Sequence, residues 1–81
     1  MQFVPVRHEQ GSAYMADAYG RLTGRAGVCL GTLGPGATNL VTAVADAFLD
    51  RAPLVALTGQ SDLERMHNES HQYIDLIGIF R

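Results

Sequence analysis

Three groups of residues have side chains and spacings that could do chemistry. Glu9 directly follows His8, which is the side chain type that exchanges protons near neutral pH. A glycine-rich loop covers residues 31–36, and two histidines, His67 and His71, stand four residues apart. The chemistry that these groups suggest is acid–base catalysis, phosphate binding and metal binding, and each group also has a simpler structural interpretation.

The glycine-rich loop has the spacing of a phosphate-binding P-loop but lacks its lysine. Four residues separate Gly31 from Gly36, and Ala37 stands where the P-loop has its cation. Without that cation, the β- and γ-phosphates of a nucleotide lose their main charge partner, which argues against a nucleotide triphosphatase. The dinucleotide-binding pattern also fails, because its third glycine is absent. For the loop taken alone, a tight strand-to-helix turn that needs small residues is favoured.

The two histidines do not match a zinc-peptidase motif. One such motif needs glutamate directly after the first histidine, where Asn68 stands, and the inverted motif needs it directly before the second, where Ser70 stands. A polar loop contact is therefore the favoured interpretation. Glu9 also has a structural alternative, because the start of a helix favours a carboxylate, and a histidine such as His8 is more often structural than catalytic.

Alternating strand and helix patterns must position these groups. In chain order, the predicted elements are a short strand end at residues 3–6, a helix from Glu9 to a stop at Gly24, a strand at residues 28–33 buried on both faces, a helix at residues 40–50 and a buried strand at residues 54–57. Strands that alternate with helices of this length imply right-handed crossovers and a parallel sheet. The predicted fold class is α/β, as part of a doubly wound parallel sheet.

The rest of the chain is polar and ends on a short helical pattern. Residues 60–72 predict a loop that holds at most one helical turn, and Asp75 is positioned to cap a helix that runs through Phe80. Three strands give a thin sheet with exposed edges. We therefore expect residues 1–81 to be a partial domain, truncated at both ends. The alternative is a very small α/β domain that dimerises to complete its sheet.

Composition and charge exclude several classes of protein. The formal net charge is −2, whereas nucleic-acid binding normally needs a basic face, so no nucleic-acid partner is expected. The uninterrupted apolar stretches are only a few residues long, so no membrane partner is expected either. Cys29 is the single cysteine, which excludes an internal disulfide and fits a reducing compartment. We expect a cytoplasmic protein.

Six short motifs follow one another in a consistent order along nearly the whole chain. They are Arg7-His8-Glu9-Gln10-Gly11, residues 24–29, residues 34–40, residues 46–50, residues 53–60 and Ser70-His71-Gln72. Together they resemble the pyrimidine-binding domain of the thiamine diphosphate-dependent enzymes of the acetolactate synthase and pyruvate oxidase family. A single glycine motif would be weak evidence, whereas an ordered series of this length is specific.

This resemblance implies roles for particular residues. In such enzymes, a glutamate at the position of Glu9 hydrogen-bonds the N1′ nitrogen of the aminopyrimidine ring and thereby activates the cofactor. The carboxyl must share a proton with the ring, which glutamine could not do, and an apolar pocket is expected to raise the pKa of this carboxyl. The resemblance also places Thr32, Pro35 and Asn39 around the pyrimidine and Gln72 at the bound intermediate.

The resemblance further implies an enzyme that decarboxylates pyruvate and joins the two-carbon unit to a second 2-oxo acid. Its cofactors are thiamine diphosphate and magnesium, and the motifs that hold the magnesium are absent from these 81 residues. The active site of such enzymes forms between subunits of a homo-oligomer, so this chain alone is expected to be inactive. FAD binding is left open. The alternatives are pyruvate oxidase, glyoxylate carboligase, sulfoacetaldehyde acetyltransferase, or a non-catalytic remnant that acts as a dimerisation module.

Overall fold

A computed structural model describes residues 2–59 and 75–81. Along the chain these residues form α1 (Glu9–Thr23), β1 (Gly27–Gly31), α2 (Pro35–Thr38), α3 (Val41–Leu49), β2 (Leu54–Thr58) and α4 (Leu76–Phe80). The two strands are parallel neighbours, with Gly27 opposite Leu54 and Gly31 opposite Thr58. Because helices connect and cover parallel strands, the predicted α/β class is confirmed.

The predicted strand at the start of the chain is wrong in the described structure. Residues 2–6 lie outside any helix or strand, and the side chain of Phe3 is 75% exposed. Pro5 has no backbone N–H to donate to a sheet, which weakens any strand built around it. Apolar residue types alone therefore did not define a strand here.

Helix α1 begins and ends at residues that satisfy its free backbone groups. At its start, the Nδ1 atom of His8 accepts a hydrogen bond from the backbone N–H of Gln10 at 3.0 Å, which confirms the structural interpretation of this histidine. At its end, Gly24 adopts a φ of 73° and donates its N–H to the carbonyl of Gly20.

No helix in the described ranges is long and apolar enough to cross a membrane.

The core lies between α1, α3 and one face of the sheet. Its buried members are small apart from Leu40: Ala13, Ala16, Cys29, Leu40 and Ala43. Small residues let the backbones approach closely, and a Cβ atom added at Gly27 would overlap the backbone of Ala16. The glycine at the start of β1 is therefore required by the contact between α1 and the sheet.

The opposite face of the sheet is open among the described residues. The side chains of Val28, Leu30, Val55 and Leu57 point to this face and are 44–59% exposed. A thin partial sheet is expected to have at least one uncovered face, and the described residues show such a face. The cover on both faces that the apolar run at residues 28–33 predicts is not provided by the described residues. Apolar runs indicate that a sheet is suited to two-sided cover, but they do not show which residues provide the cover.

The last described helix, α4, begins where the sequence predicts, directly after Asp75. The carboxylate of Asp75 accepts a hydrogen bond from the backbone N–H of Gly78 at 3.1 Å, and α4 begins at the next residue after this cap. The loop predicted at residues 60–72 lies outside the described residues.

Candidate functional site

Three chain segments meet at one end of the sheet. Helix α1 packs antiparallel against β1, so its first residue, Glu9, lies at the carboxyl end of that strand. Thr32 directly follows β1, and Asn39 directly follows the short helix α2. The carboxyl ends of parallel strands are where ligands bind in open α/β sheets, so this end of the sheet is a candidate binding site.

The centre of the site is a hydrogen bond between two side chains that are far apart in sequence. The Nδ2 atom of Asn39 donates to the Oε1 atom of Glu9 at 3.0 Å, in a partly buried position. Glu9 and Asn39 are 30 residues apart. The fold therefore brings together two of the residues that the sequence assigned to the cofactor pocket.

Gly36 gives the carboxylate of Glu9 its space. A Cβ atom at this position would lie 3.3 Å from the Oε2 atom of Glu9 and 2.5 Å from the Cγ2 methyl of Thr32. The methyl group and the carboxylate oxygen thus occupy the volume that a side chain at Gly36 would need. As a result Glu9 and Thr32 border one buried glycine, and Asn39 binds the other oxygen of the Glu9 carboxylate.

The environment of Glu9 lowers the pKa of its carboxyl below the ordinary value of 4.5. The largest cause is the hydrogen bond from Asn39, followed by a backbone N–H at the start of the helix, and the charge of His8 acts in the same direction. Burial raises the pKa by less than these contacts lower it. A raised pKa is expected for this carboxyl in an apolar pocket, whereas in the described chain the carboxylate is only partly buried and has a donor, so its pKa is lowered.

Pro35 has a different position from the other predicted pocket residues. It is the exposed first residue of α2, and its carbonyl accepts hydrogen bonds from the backbone N–H of Asn39 and the hydroxyl of Thr38, each at 3.0 Å. The structure therefore gives Pro35 a part in shaping the turn that presents Asn39. Gln72, predicted to reach the bound intermediate, lies outside the described residues and its role stays a prediction.

An open groove runs along the free edge of β1 and reaches this site. Its volume is about 1260 Å³, and it is bounded by residues 2–7, one side of α1 and the length of β1. Glu9 and Thr32 line it together with mostly apolar neighbours such as Met15 and Leu30. An apolar groove with a few convergent polar groups is the usual form of a small-molecule site.

Within the described ranges, no three His, Cys, Asp or Glu side chains cluster in a way that could hold a metal ion.

Sequence reasoning missed the contact between Glu9 and Asn39 and the part that Gly36 plays in it. The signal was topological, because a helix that runs antiparallel to the following strand returns its first residue to that strand's carboxyl end. The turn and short helix α2 that follow the strand must then lie near the helix start, and Asn39 directly follows α2. The glycine-rich loop, interpreted as a turn, is also one wall of the site.

The chain belongs to the family of thiamine pyrophosphate enzymes, as their N-terminal TPP binding domain, and the family model matches residues 1–79. It is 55% identical over 74 residues to an acetolactate synthase of Arthrospira platensis and 51% identical over 79 residues to the acetolactate synthase large subunit of Corynebacterium glutamicum. It is also 51% identical over 73 residues to the acetolactate synthase isozyme 2 large subunit of Escherichia coli.

These matches cover most of this chain but a small part of each relative. They extend over 91%, 98% and 90% of the chain, respectively, and over 13% of each of the three relatives. The family membership of the chain is therefore shown, and the resemblance found in its motifs is confirmed. The chain spans about one eighth of the length of these relatives.

Proposed function

We propose that this chain is part of the pyrimidine-binding domain of a thiamine diphosphate-dependent enzyme of the acetolactate synthase type. The observation that supports this most is the carboxylate of Glu9, held by Asn39 beside Gly36 at the carboxyl end of β1. This arrangement occurs in a chain that is 51–55% identical to acetolactate synthases. In the proposed enzyme, Glu9 is the catalytic residue that activates the cofactor.

The residues at the site fit an aminopyrimidine ring. A carboxyl group can share a proton with a ring nitrogen, and the missing side chain of Gly36 leaves space around the Oε2 atom of Glu9. Thr32 bounds the same space, and Asn39 holds the other oxygen of the carboxylate. When bound, thiamine diphosphate supplies the electron sink for decarboxylation of a 2-oxo acid. The part of this chain is to hold a proton at the ring nitrogen and to fix the orientation of the ring.

The proposed reaction is decarboxylation of pyruvate followed by transfer of the two-carbon unit to a second 2-oxo acid. The similarity to acetolactate synthases and their large subunits supports this reaction over those of pyruvate oxidase, glyoxylate carboligase and sulfoacetaldehyde acetyltransferase. A non-catalytic dimerisation module is the alternative of another class. It is disfavoured because Glu9 is intact in a chain that is 51–55% identical to acetolactate synthases.

We also propose that residues 1–81 are a partial domain of a longer polypeptide. The support is the 13% coverage of the relatives and the open sheet face formed by Val28, Leu30, Val55 and Leu57. Magnesium and the diphosphate would then be held by another domain, supplied by a partner subunit of a cytoplasmic homo-oligomer. Whether FAD is also bound depends on residues beyond these 81.

Two measurements test the incomplete site. The reading frame around this segment should continue into a Gly-Asp-Gly motif followed by paired asparagines, and a frame that encodes only these residues would contradict the proposal. In calorimetry, magnesium–thiamine diphosphate titrated into the 81-residue chain should give no saturable binding. Saturable binding would mean that the chain holds the cofactor without a second domain.

The catalytic role is tested by the Glu9→Gln variant of the complete polypeptide. Loss of proton sharing should reduce acetolactate formation from pyruvate by about 10²–10⁴-fold, with circular dichroism unchanged. The matched control is Asp46→Asn, which removes a carboxylate from the exposed side of α3 and should leave turnover unaffected. Normal turnover in Glu9→Gln would refute the catalytic role. A different product in the parent enzyme would refute the proposed reaction alone.

A further inference from the structure

We propose that Asn39 is a positioning residue that acts through Glu9, by binding one carboxylate oxygen so that the other carries the proton shared with the cofactor ring. This inference rests on the proposed function, because it concerns how the catalytic carboxyl is held. It differs from a role in lining the pocket, because the contact that carries it is with the glutamate itself.

The two oxygens of Glu9 have different surroundings. Oε1 accepts the hydrogen bond from Asn39 at 3.0 Å, whereas Oε2 lies towards Gly36, 3.3 Å from the place where a Cβ atom would be. An oxygen that accepts an N–H bond is a poor place for a proton, because the proton and the donor hydrogen would repel each other. A proton bound to Glu9 is therefore directed to Oε2.

The amide of Asn39 is held by a rigid part of the structure. Its backbone N–H donates to the carbonyl of Pro35 at 3.0 Å, at the end of α2. The next residue, Leu40, is fully buried in the core. Because the backbone is fixed on both sides, the side chain can orient the carboxylate without being reorganised when a ligand binds.

A neutral donor suits a carboxyl that must exchange a proton. A guanidinium or ammonium partner would favour the ionised form strongly, whereas an amide favours it only moderately. The lowered pKa of Glu9, caused first by Asn39, agrees with this moderate effect. Asn39 thus orients the carboxyl and leaves its proton available.

The test uses the complete polypeptide with the variants Glu9→Gln, Asn39→Ala and the double variant. We expect Asn39→Ala to reduce kcat by roughly 10–100-fold through misorientation of the carboxyl. The acidic limb of its kcat/KM profile should move to higher pH, because Glu9 loses the donor that lowers its pKa. The pH at which the Glu9 carboxyl titrates in the cofactor-free polypeptide, followed by NMR, should rise as well, and an unchanged titration would overturn the inference. The double variant should be no slower than Glu9→Gln alone, since Asn39 acts only through that glutamate. Thr42→Ala, on the exposed side of α3, is the control.

A second variant, Asn39→Asp, keeps the shape of the side chain and guards against misfolding of Asn39→Ala. When the substituted carboxyl is protonated, it donates to Oε1 of Glu9 as the amide does, so activity should persist at low pH and fall as pH rises. Additive losses in the double variant, with unchanged pH profiles in Asn39→Ala and Asn39→Asp, would overturn the inference and leave the proposed function intact. Normal turnover in Glu9→Gln would instead overturn the proposed function.

Discussion

The start and the second half of helix α1 carry carboxylates that differ in burial and in the charge of their partners. Asp17, in the second half of the helix, is only 4% exposed and accepts a hydrogen bond from the Nε atom of Arg21 at 2.8 Å. The same guanidinium reaches Asp50 at 2.8 Å. Glu9, at the start of the helix, is only partly buried and has the neutral amide of Asn39 as its partner. A cation fixes a charge in place, whereas an amide orients a carboxyl that can still exchange a proton.

The backbone packing differs in the same way between the two ends. From the middle of α1 onward the packing is close: a Cβ atom at Gly20 of α1 would overlap the carbonyl of Pro53, and one at Gly27 of β1 would overlap the backbone of Ala16. At the start of the helix, Glu9 lines an open groove. The tightly packed end holds the helix on the sheet, and this fixes the direction from which the other end presents its carboxylate.

The largest expected effect comes from a substitution that disrupts the close packing of α1 on the sheet. In Gly27→Ala, the new methyl overlaps the backbone of Ala16, which cannot move away as a side chain could. We expect a loss of at least about 1–3 kcal/mol in the free energy of unfolding, enough to unfold much of an 81-residue chain. Thermal unfolding by circular dichroism measures this loss.

The matched control for that variant is Gly11→Ala, on the same helix. No atom lies within 4 Å of the added Cβ, so the substitution should stabilise the helix by roughly 0.5–1 kcal/mol. If both alanine variants unfold at the temperature of the parent chain, close packing does not distinguish the two ends.

A second prediction concerns the open end. In Gly36→Ala, the new methyl lies 2.5 Å from the Thr32 methyl and 3.3 Å from Oε2 of Glu9, so these side chains must shift. Because they are side chains, the unfolding temperature should change little. The kcat/KM of the complete polypeptide should fall by roughly 10–100-fold. A large loss of stability with normal kcat/KM would show that Gly36 serves packing alone.

A third prediction removes the cation of the packed end. Arg21→Met leaves the buried carboxylate of Asp17 without its partner, and separates α1 from Asp50 on the connection after α3. We expect the unfolding midpoint of the chain to fall by roughly 5 °C. Turnover per folded molecule of the complete polypeptide should not change, since Arg21 lies far along the helix from Glu9. A selective loss of turnover would contradict the division between the two ends.

The sequence predicted the local features of this fold better than its long-range contacts. The bounds of α1 followed from residues near in sequence, with Glu9 at its start and Gly24 after its end. The strand expected at residues 3–6 failed because a strand also needs a neighbour, which residue types do not reveal. The burial of Asp17 was missed because aspartate is rarely buried, although its spacing of four from Arg21 was a usable signal.

The candidate site shows the same limit. Motifs selected Glu9, Thr32 and Asn39 one by one, and the fold brings the three residues together at the carboxyl end of β1. The direction in which the fold shifts the pKa of Glu9 could not be predicted from the motifs. It depends on whether a donor reaches the carboxylate, and that donor is 30 residues away.

The smallest expected effect is a change with pH in the stability that Glu9 contributes at the start of α1. The pKa of Glu9 is lowered in the folded chain, so its ionised form contributes stability above the ordinary value of 4.5, and this contribution is lost as pH falls through the lower folded value. Asn39→Ala removes the first cause of the shift. The difference in unfolding midpoint between parent and variant should therefore be largest above pH 4.5 and shrink at lower pH. A difference that stays constant with pH would mean that Asn39 contributes packing and does not stabilise the ionised carboxylate of Glu9.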